Sequence, residues 1–240
     1  MRPGRTGAEL LTLGGRVPPG VGGLILAILG TSLVAQFART LAAYGVLAAP
    51  AVLEGELWRL VTWTFLSGSP LELVFTTLML VWFGRDLAWA WGTRRLLLTW
   101  LAFGAASGAA VVLLSLADPG MAQAVFAGPS APMAALIVAW GLLYPERHLS
   151  FWGVLPLTGM QLVWITIGGT LFFGVFSGLR SVVPDLAAEL LMLLWFRGLS
   201  PRGAWQSIRI WLGERRMRRR ARHLRVVKKN GKGDPPQWLN

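Results

Sequence analysis

The chain has 240 residues, of which 54 % are apolar and only 14 % charged, against about 25 % charged in an ordinary soluble domain. That balance excludes a disordered protein and argues against a soluble enzyme. There is no cysteine and there are only two histidines, His148 and His223, which excludes a disulfide framework or thiolate site and leaves little for a histidine metal centre, so no metal or cofactor is expected.

In chain order, six apolar stretches stand out, at about 21–38, 60–83, 95–117, 126–144, 150–176 and 182–197. Each approaches the ~20 residues that a helix needs to cross a bilayer. The first follows Arg2, Arg5 and Arg16 like a signal peptide, but lacks a small-x-small cleavage site and reads as a retained span. In the third, Gly104 and Gly108 have the G-x-x-x-G spacing that lets helices approach closely in lipid. The fourth follows the turn signal Asp118-Pro119-Gly120 and carries Ala131, Ala134 and Ala135 on one side. The fifth is broken by Gly153, Pro156, Gly159, Gly168 and Gly169. The sixth is short and carries Asp185 and Glu189. Thirteen tryptophans suit a chain with many membrane–water boundaries.

The net charge of +12 sits at one end. Residues 197–240 hold thirteen basic side chains and two acidic ones, whereas the first 196 residues hold ten basic and nine acidic. With the N-terminus inside, the lysines and arginines divide 20 inside to 3 outside, and 7 to 3 without the tail. The positive-inside rule therefore places both termini in the cytoplasm. Within the tail, Trp205, Ile208, Trp211 and Leu212 share one helical face and Arg215 and Arg216 lie toward the other, the pattern of an interfacial helix. The basic block that follows suits anionic lipid head groups. No module that would read nucleic acid specifically is present. The domain reading is a cytoplasmic segment at 1–20, a six-helix membrane domain at 21–198 and a basic cytoplasmic tail at 199–240.

Several motifs fall in order along the membrane domain. Trp58-Arg59 opens the segment Trp58-Arg-Leu-Val-Thr-Trp-Thr-Phe-Leu66. Gly84-Arg85-Asp86-Leu87 and Trp91-Gly92-Thr93-Arg94-Arg95 precede the third stretch. Gly128-Pro129-Ser130 heads the fourth, and Tyr144-Pro145-Glu146-Arg147 follows it. In order and spacing, over residues 20–198, these resemble the rhomboid family of intramembrane serine proteases. The resemblance implies an all-α, polytopic membrane protein, a bundle of six transmembrane helices. It also implies a nucleophile at Ser130, a histidine base on the sixth span, and a histidine and asparagine on the second span beside the oxyanion. The chain departs from that pattern. Asp185 stands at the position of the base, and Glu72 and Thr76 stand at the two oxyanion positions. Ala131 replaces the glycine that follows the nucleophile. His148 lies in the loop beyond the fourth span, about a helix length from Ser130.

A serine hydroxyl needs a base, and an unperturbed aspartate, with a pKa of about 3.9, is a weak one at neutral pH. Acyl transfer also builds negative charge, which a carboxylate at Glu72 would repel. Losing one oxyanion donor alone typically lowers the rate by about 10²–10³. The replaced base and donors argue against catalysis, and the resemblance to inactive members of the family implies the leading expectation, a rhomboid-like pseudoprotease that binds transmembrane segments of client membrane proteins, as a chaperone, retention factor or adaptor. The alternatives are an active rhomboid endopeptidase using Ser130 with an unusual base, and a small proton-coupled transporter or lipid-handling protein using Glu72 and Asp185. The last requires a polar path through the membrane, which the apolar interiors of the third and fifth stretches do not supply. Glu72 and Asp185 could equally sit wet at the outer interface, and Ser130 could be only a packing residue. Trp58 and Arg59 read either as an interfacial anchor or as part of a client-binding surface. The absence of eukaryotic targeting motifs and the excess of arginine over lysine fit a bacterial inner membrane.

Overall fold

Pro70 decides where the second long helix begins. Its ring fixes φ and removes an N–H, which suits the first turn of a helix and no position further in. A computed structural model of the chain, which describes residues 17–151 and 155–199, begins a helix there. The chain opens with α1 (Pro19–Phe37), followed by α2 (Arg39–Gly45), the bridge strand β1 (Leu47–Ala48), α3 (Ala49–Leu53) and α4 (Arg59–Thr62), which runs on as a 3₁₀ turn over Trp63–Phe65. Next comes one continuous rod: α5 (Pro70–Met79), a π-helical turn over Leu80–Gly84, and α6 (Arg85–Trp91). The long α7 (Thr93–Ser115), short α8 (Pro119–Ala122), strand β2 (Val125–Phe126) and α9 (Ser130–Leu143) follow. Strands β3 (His148–Phe151) and β4 (Leu155–Thr158) lead to α10 (Gly159–Ser177), and a 3₁₀ turn over Leu179–Val182 leads to α11 (Val183–Leu194).

Two of the expected spans are corrected. The second is not 60–83 but Pro70–Trp91, because Ser67-Gly68-Ser69-Pro70 breaks the apolar run and leaves Arg59–Phe65 as a separate pair of helical turns. The fifth is not 150–176. Residues His148–Phe151 pair with Leu155–Thr158 as an antiparallel hairpin, and the helix starts at Gly159. A reciprocal capping box fixes that start: the Thr158 hydroxyl accepts from Gln161 N–H at 3.3 Å, and Gln161 Oε1 accepts from Thr158 N–H at 2.9 Å.

Four helices are long and apolar enough to cross a bilayer: α1, the Pro70–Trp91 rod, α7 and α10. Helix α10 alone presents Trp164, Ile165, Phe172, Phe173, Val175 and Phe176 outward. Such a surface has no place in water, and in this all-α polytopic bundle it faces lipid. Helix α9 is the opposite case. Ten of its fourteen residues are buried, with α7, α10 and α11 packed around it. At 1.5 Å per residue it is about 21 Å long, shorter than a hydrocarbon core of about 30 Å. It cannot reach both interfaces, and the surrounding elements must close over a recessed end.

The residues 39–66 do this at one end. β1 pairs with β2 through Leu47↔Phe126 and Ala48↔Val125, and Gly128 N–H donates to the Trp63 carbonyl at 3.0 Å. The G-x-x-x-G step of α7 packs against this same layer. A Cβ at Gly104 would come 2.6 Å from Thr64 Cγ2, and one at Gly108 would come 3.3 Å from Trp63 Nε1. At the opposite end, Asp86 accepts from Arg147 Nη1 at 2.8 Å and from Trp140 Nε1 at 3.2 Å. The Arg147 guanidinium also lies 5.6 and 5.4 Å from the ring centroids of Trp140 and Tyr144. Two motifs separated in sequence, Gly84-Arg85-Asp86 and Tyr144-Pro145-Glu146-Arg147, thus form one clasp between α6 and α9.

Candidate functional site

Three helices begin at the same place. Ser130 is the first residue of α9, Glu72 lies in the first turn of α5 and Asp185 in the first turn of α11. Acidic side chains suit a first turn, where unpaired backbone N–H groups carry partial positive charge. Glu72 reaches across to the turn before α9: Gly128 is buried at φ +134°, and a Cβ there would run into the Glu72 carboxylate. The Ser67 hydroxyl donates to Glu72 Oε2. Ser67 is itself buried, and its backbone N–H donates to Ser32 Oγ at 2.9 Å.

Asp185 interacts with the Ser130 hydroxyl and lies close enough to Glu72 to feel its charge. Its Oδ1 is buried with no hydrogen-bond partner. One turn further along α11, Glu189 is 0 % exposed. Its Oε1 accepts from the Thr170 hydroxyl of α10 at 2.7 Å, and its Oε2 is buried and unpartnered. Thr76, one turn below Glu72 on the same face of α5, is buried. Ser130 is exposed at the surface of the bundle. The structure therefore gathers Ser130, Asp185, Glu72 and Thr76 at one recessed end, and it places Glu189 behind them.

Trp58 and Arg59 are elsewhere. Arg59 is 7 % exposed, so its guanidinium does not reach outward as an interfacial anchor would. Its Nη1 donates to the carbonyls of Ala43 at 2.6 Å and Val46 at 2.9 Å, its Nε pairs with Glu56, and it lies 5.9 Å from the Tyr44 ring centroid. It is the internal clamp of the residues 39–66. Trp58 is half exposed and donates its indole N–H to the Tyr44 carbonyl at 3.2 Å. Trp205, Trp211, Arg215 and Arg216, with the whole tail from residue 200, lie outside the described residues.

Two partners in the cluster escaped the sequence reading. Ser67 is five residues before Glu72, and the Ser-Gly-Ser-Pro stretch that signals a break also supplies this hydroxyl. Thr170 is one of few polar groups in an apolar helix, but nothing in the sequence pairs it with Glu189.

The chemistry open to this arrangement is narrow. Ser130 has a carboxyl neighbour that could receive its proton, and the first amides of α9 point where negative charge could be stabilised. Against this, no imidazole is present among the described residues at this end: His148 is exposed beyond the far end of α9, about 20 Å away along the helix. The side chains facing the Gly128–Ser130 turn are carboxyls rather than donors. Among the described residues no group of three or more His, Cys, Asp or Glu side chains is arranged to hold a metal ion.

No curated protein sequence matches the chain. A family model described as Rhomboid domain matches residues 54–194, a range that includes Arg59, the Asp86–Arg147 clasp and Ser130 with Asp185, Glu72 and Thr76, and the chain belongs to the rhomboid family of intramembrane proteins.

Proposed function

We propose that this rhomboid is catalytically silent and acts by binding transmembrane segments of other membrane proteins, as a chaperone, retention factor or adaptor. One observation carries the reading. Around Ser130, at the places where a rhomboid needs a base and oxyanion donors, stand Asp185, Glu72 and Thr76, with Glu72 pressed against the Gly128 turn. A developing oxyanion there meets a carboxylate instead of an N–H donor, and the replaced donors alone lower the rate by about 10²–10³ each. What remains is a recessed polar end in a bundle surrounded by lipid-facing helices, which suits recognition of a membrane-spanning segment. The setting proposed with it is a bacterial inner membrane with both termini cytoplasmic and the basic tail on anionic head groups. The test is site-specific photocrosslinking in native membranes from positions on α5 and α10, with positions at the Asp86–Arg147 end as controls. Adducts to membrane-spanning peptides from α5 or α10, and not from the control positions, are expected; adducts to lipid alone would contradict the proposal.

A second reading has its own observation. Ser130 and Asp185 are neighbours, so an active protease with an aspartate base is the competing function. It requires Ser130-dependent turnover.

A further inference from the structure

Three carboxyls converge at the end where α5, α9 and α11 begin, and none has a cation among the described residues. Among the described residues, Arg59 pairs with Glu56, Arg180 with Asp118, and Arg147 and Arg85 with Asp86. Arg94 and Arg95 start α7 at the opposite end, about 20 Å along that helix from Gly108, which packs on Trp63 beside the Gly128 turn. Among the described residues no arginine acts on Glu72, Asp185 or Glu189. The first-turn amides and the Ser67 and Thr170 hydroxyls supply part of what these groups need. They leave Asp185 Oδ1 and Glu189 Oε2 buried without a donor. A buried acceptor without a donor is rare in folded proteins, and one on an acidic side chain calls for a donor that carries positive charge.

We infer that the site selects membrane-spanning segments that carry a lysine or arginine about two helical turns inside the bilayer, with the basic group meeting Asp185 and Glu72 beside Ser130. The inference rests on the client-binding function proposed above and names its substrate class. The depth follows from α9: beyond its other end the exposed Arg147 of the Asp86 clasp belongs at the interface, so a helix of about 21 Å in a core of about 30 Å leaves Ser130 roughly 9 Å below the opposite one. A basic side chain at that depth is disfavoured in lipid. Beside the two carboxyls it gains charge-assisted hydrogen bonds, one of them to Asp185 Oδ1, which otherwise lacks a donor. Glu189, one turn deeper, extends the negative field along α11 and favours a long side chain that approaches from the open Ser130 side. The same field repels an acidic segment, so discrimination comes from both signs.

The test uses the full chain in nanodiscs of zwitterionic lipid, which keeps the basic tail from dominating. The chain has no cysteine, so one introduced cysteine at an exposed position takes a fluorescent acceptor. The probes are three single-span peptides, identical except for Lys, Ala or Glu two turns from one end, each carrying a donor. The Lys peptide should bind at least about tenfold more tightly than the Ala peptide, and the Glu peptide most weakly. In the near-isosteric variant Glu72→Gln/Asp185→Asn the Lys peptide should lose its preference over the Ala peptide. Equal binding of all three peptides to the wild type, or a Lys preference that survives in the double variant, would overturn the inference and leave client binding standing. If no peptide binds at all, the client-binding function itself is overturned, and this inference with it.

Discussion

Helices α9 and α10 touch through two glycines, and filling either one tests the packing directly. A Cβ at Gly141 would come 2.5 Å from the Gly159 carbonyl oxygen and 2.6 Å from Val163 Cγ2. One at Gly159 would run into the Tyr144 carbonyl and lie 3.0 Å from that of Gly141. An ordinary contact is about 3.4 Å or more, so the helices must part by nearly 1 Å, and carbonyl groups cannot swing away as a side chain can. Overpacking of this kind costs about 1–3 kcal/mol. The effect falls on a helix with little other support, since only 22 % of the apolar window of α10 is buried in the bundle. Gly168 and Gly169, in the same helix, are internal controls, because nothing lies within 4 Å of a Cβ at either. Alanine there should be neutral or stabilising by up to about 1 kcal/mol through helix propensity. Thermal or denaturant unfolding in detergent should therefore rank Gly141→Ala and Gly159→Ala well below the wild type, with Gly168→Ala and Gly169→Ala at or above it. Equal loss at Gly159 and Gly168, or no loss at Gly159, would refute the close-approach geometry.

Arg59→Gln should lower stability by about 3–5 kcal/mol, because it strips a buried cation from Glu56 and leaves two carbonyls unpaired; Arg59→Lys should not restore it, and unfolding in detergent reads both. Asp86→Ala should loosen the α6–α9 clasp by about 1–3 kcal/mol, since Arg147 and Trp140 Nε1 lose their common acceptor, seen as a lower unfolding midpoint. Asp118, outside the spans, is held below its ordinary range by the hydrogen bonds from Arg180 and by the Gly120 N–H. Because the folded value is the lower one, its stabilisation is full above about pH 4 and fades as the pH falls through the folded value. Unfolding midpoints followed from pH 7 to pH 3 should drop more steeply for the wild type than for Asp118→Asn, and parallel curves would contradict the pairing.

How much of this was legible in the sequence varies with the physics that sets it. Long apolar runs mark helices for lipid without tertiary help, so the membrane class and the places of α1 and α7 were close to hand. The start of the second long helix was not. Residues 60–66 are as apolar as those beyond Pro70, and periodicity cannot separate two helices that share one composition; only Gly68 and Pro70 mark the join. Residues 148–151 and 155–158 border or belong to the apolar run read as the fifth span, yet pair as strands, because hydropathy reports burial rather than backbone geometry. At the site, the replacement of a base and two donors by Asp185, Glu72 and Thr76 was readable by position along the chain. That Glu72 lies against Gly128, and that Ser67 and Thr170 bind the carboxyls, depends on how α5, α9, α10 and α11 are placed against one another, which no local pattern encodes. Arg59 shows the limit most plainly: a Trp-Arg pair reads as an interfacial anchor, but the arginine is turned inward by carbonyls thirteen and sixteen residues before it.

The central claim is that carboxyls in place of a base and oxyanion donors silence Ser130. Purified protein in liposomes, wild type and Ser130→Ala, should be treated with a fluorophosphonate probe and separately incubated with a model transmembrane substrate, alongside a rhomboid of known activity. The account predicts no labelling and no cleavage by either form while the active rhomboid shows both. Labelling and cleavage by the wild type that disappear in Ser130→Ala would contradict it and make Asp185 the base of a working protease.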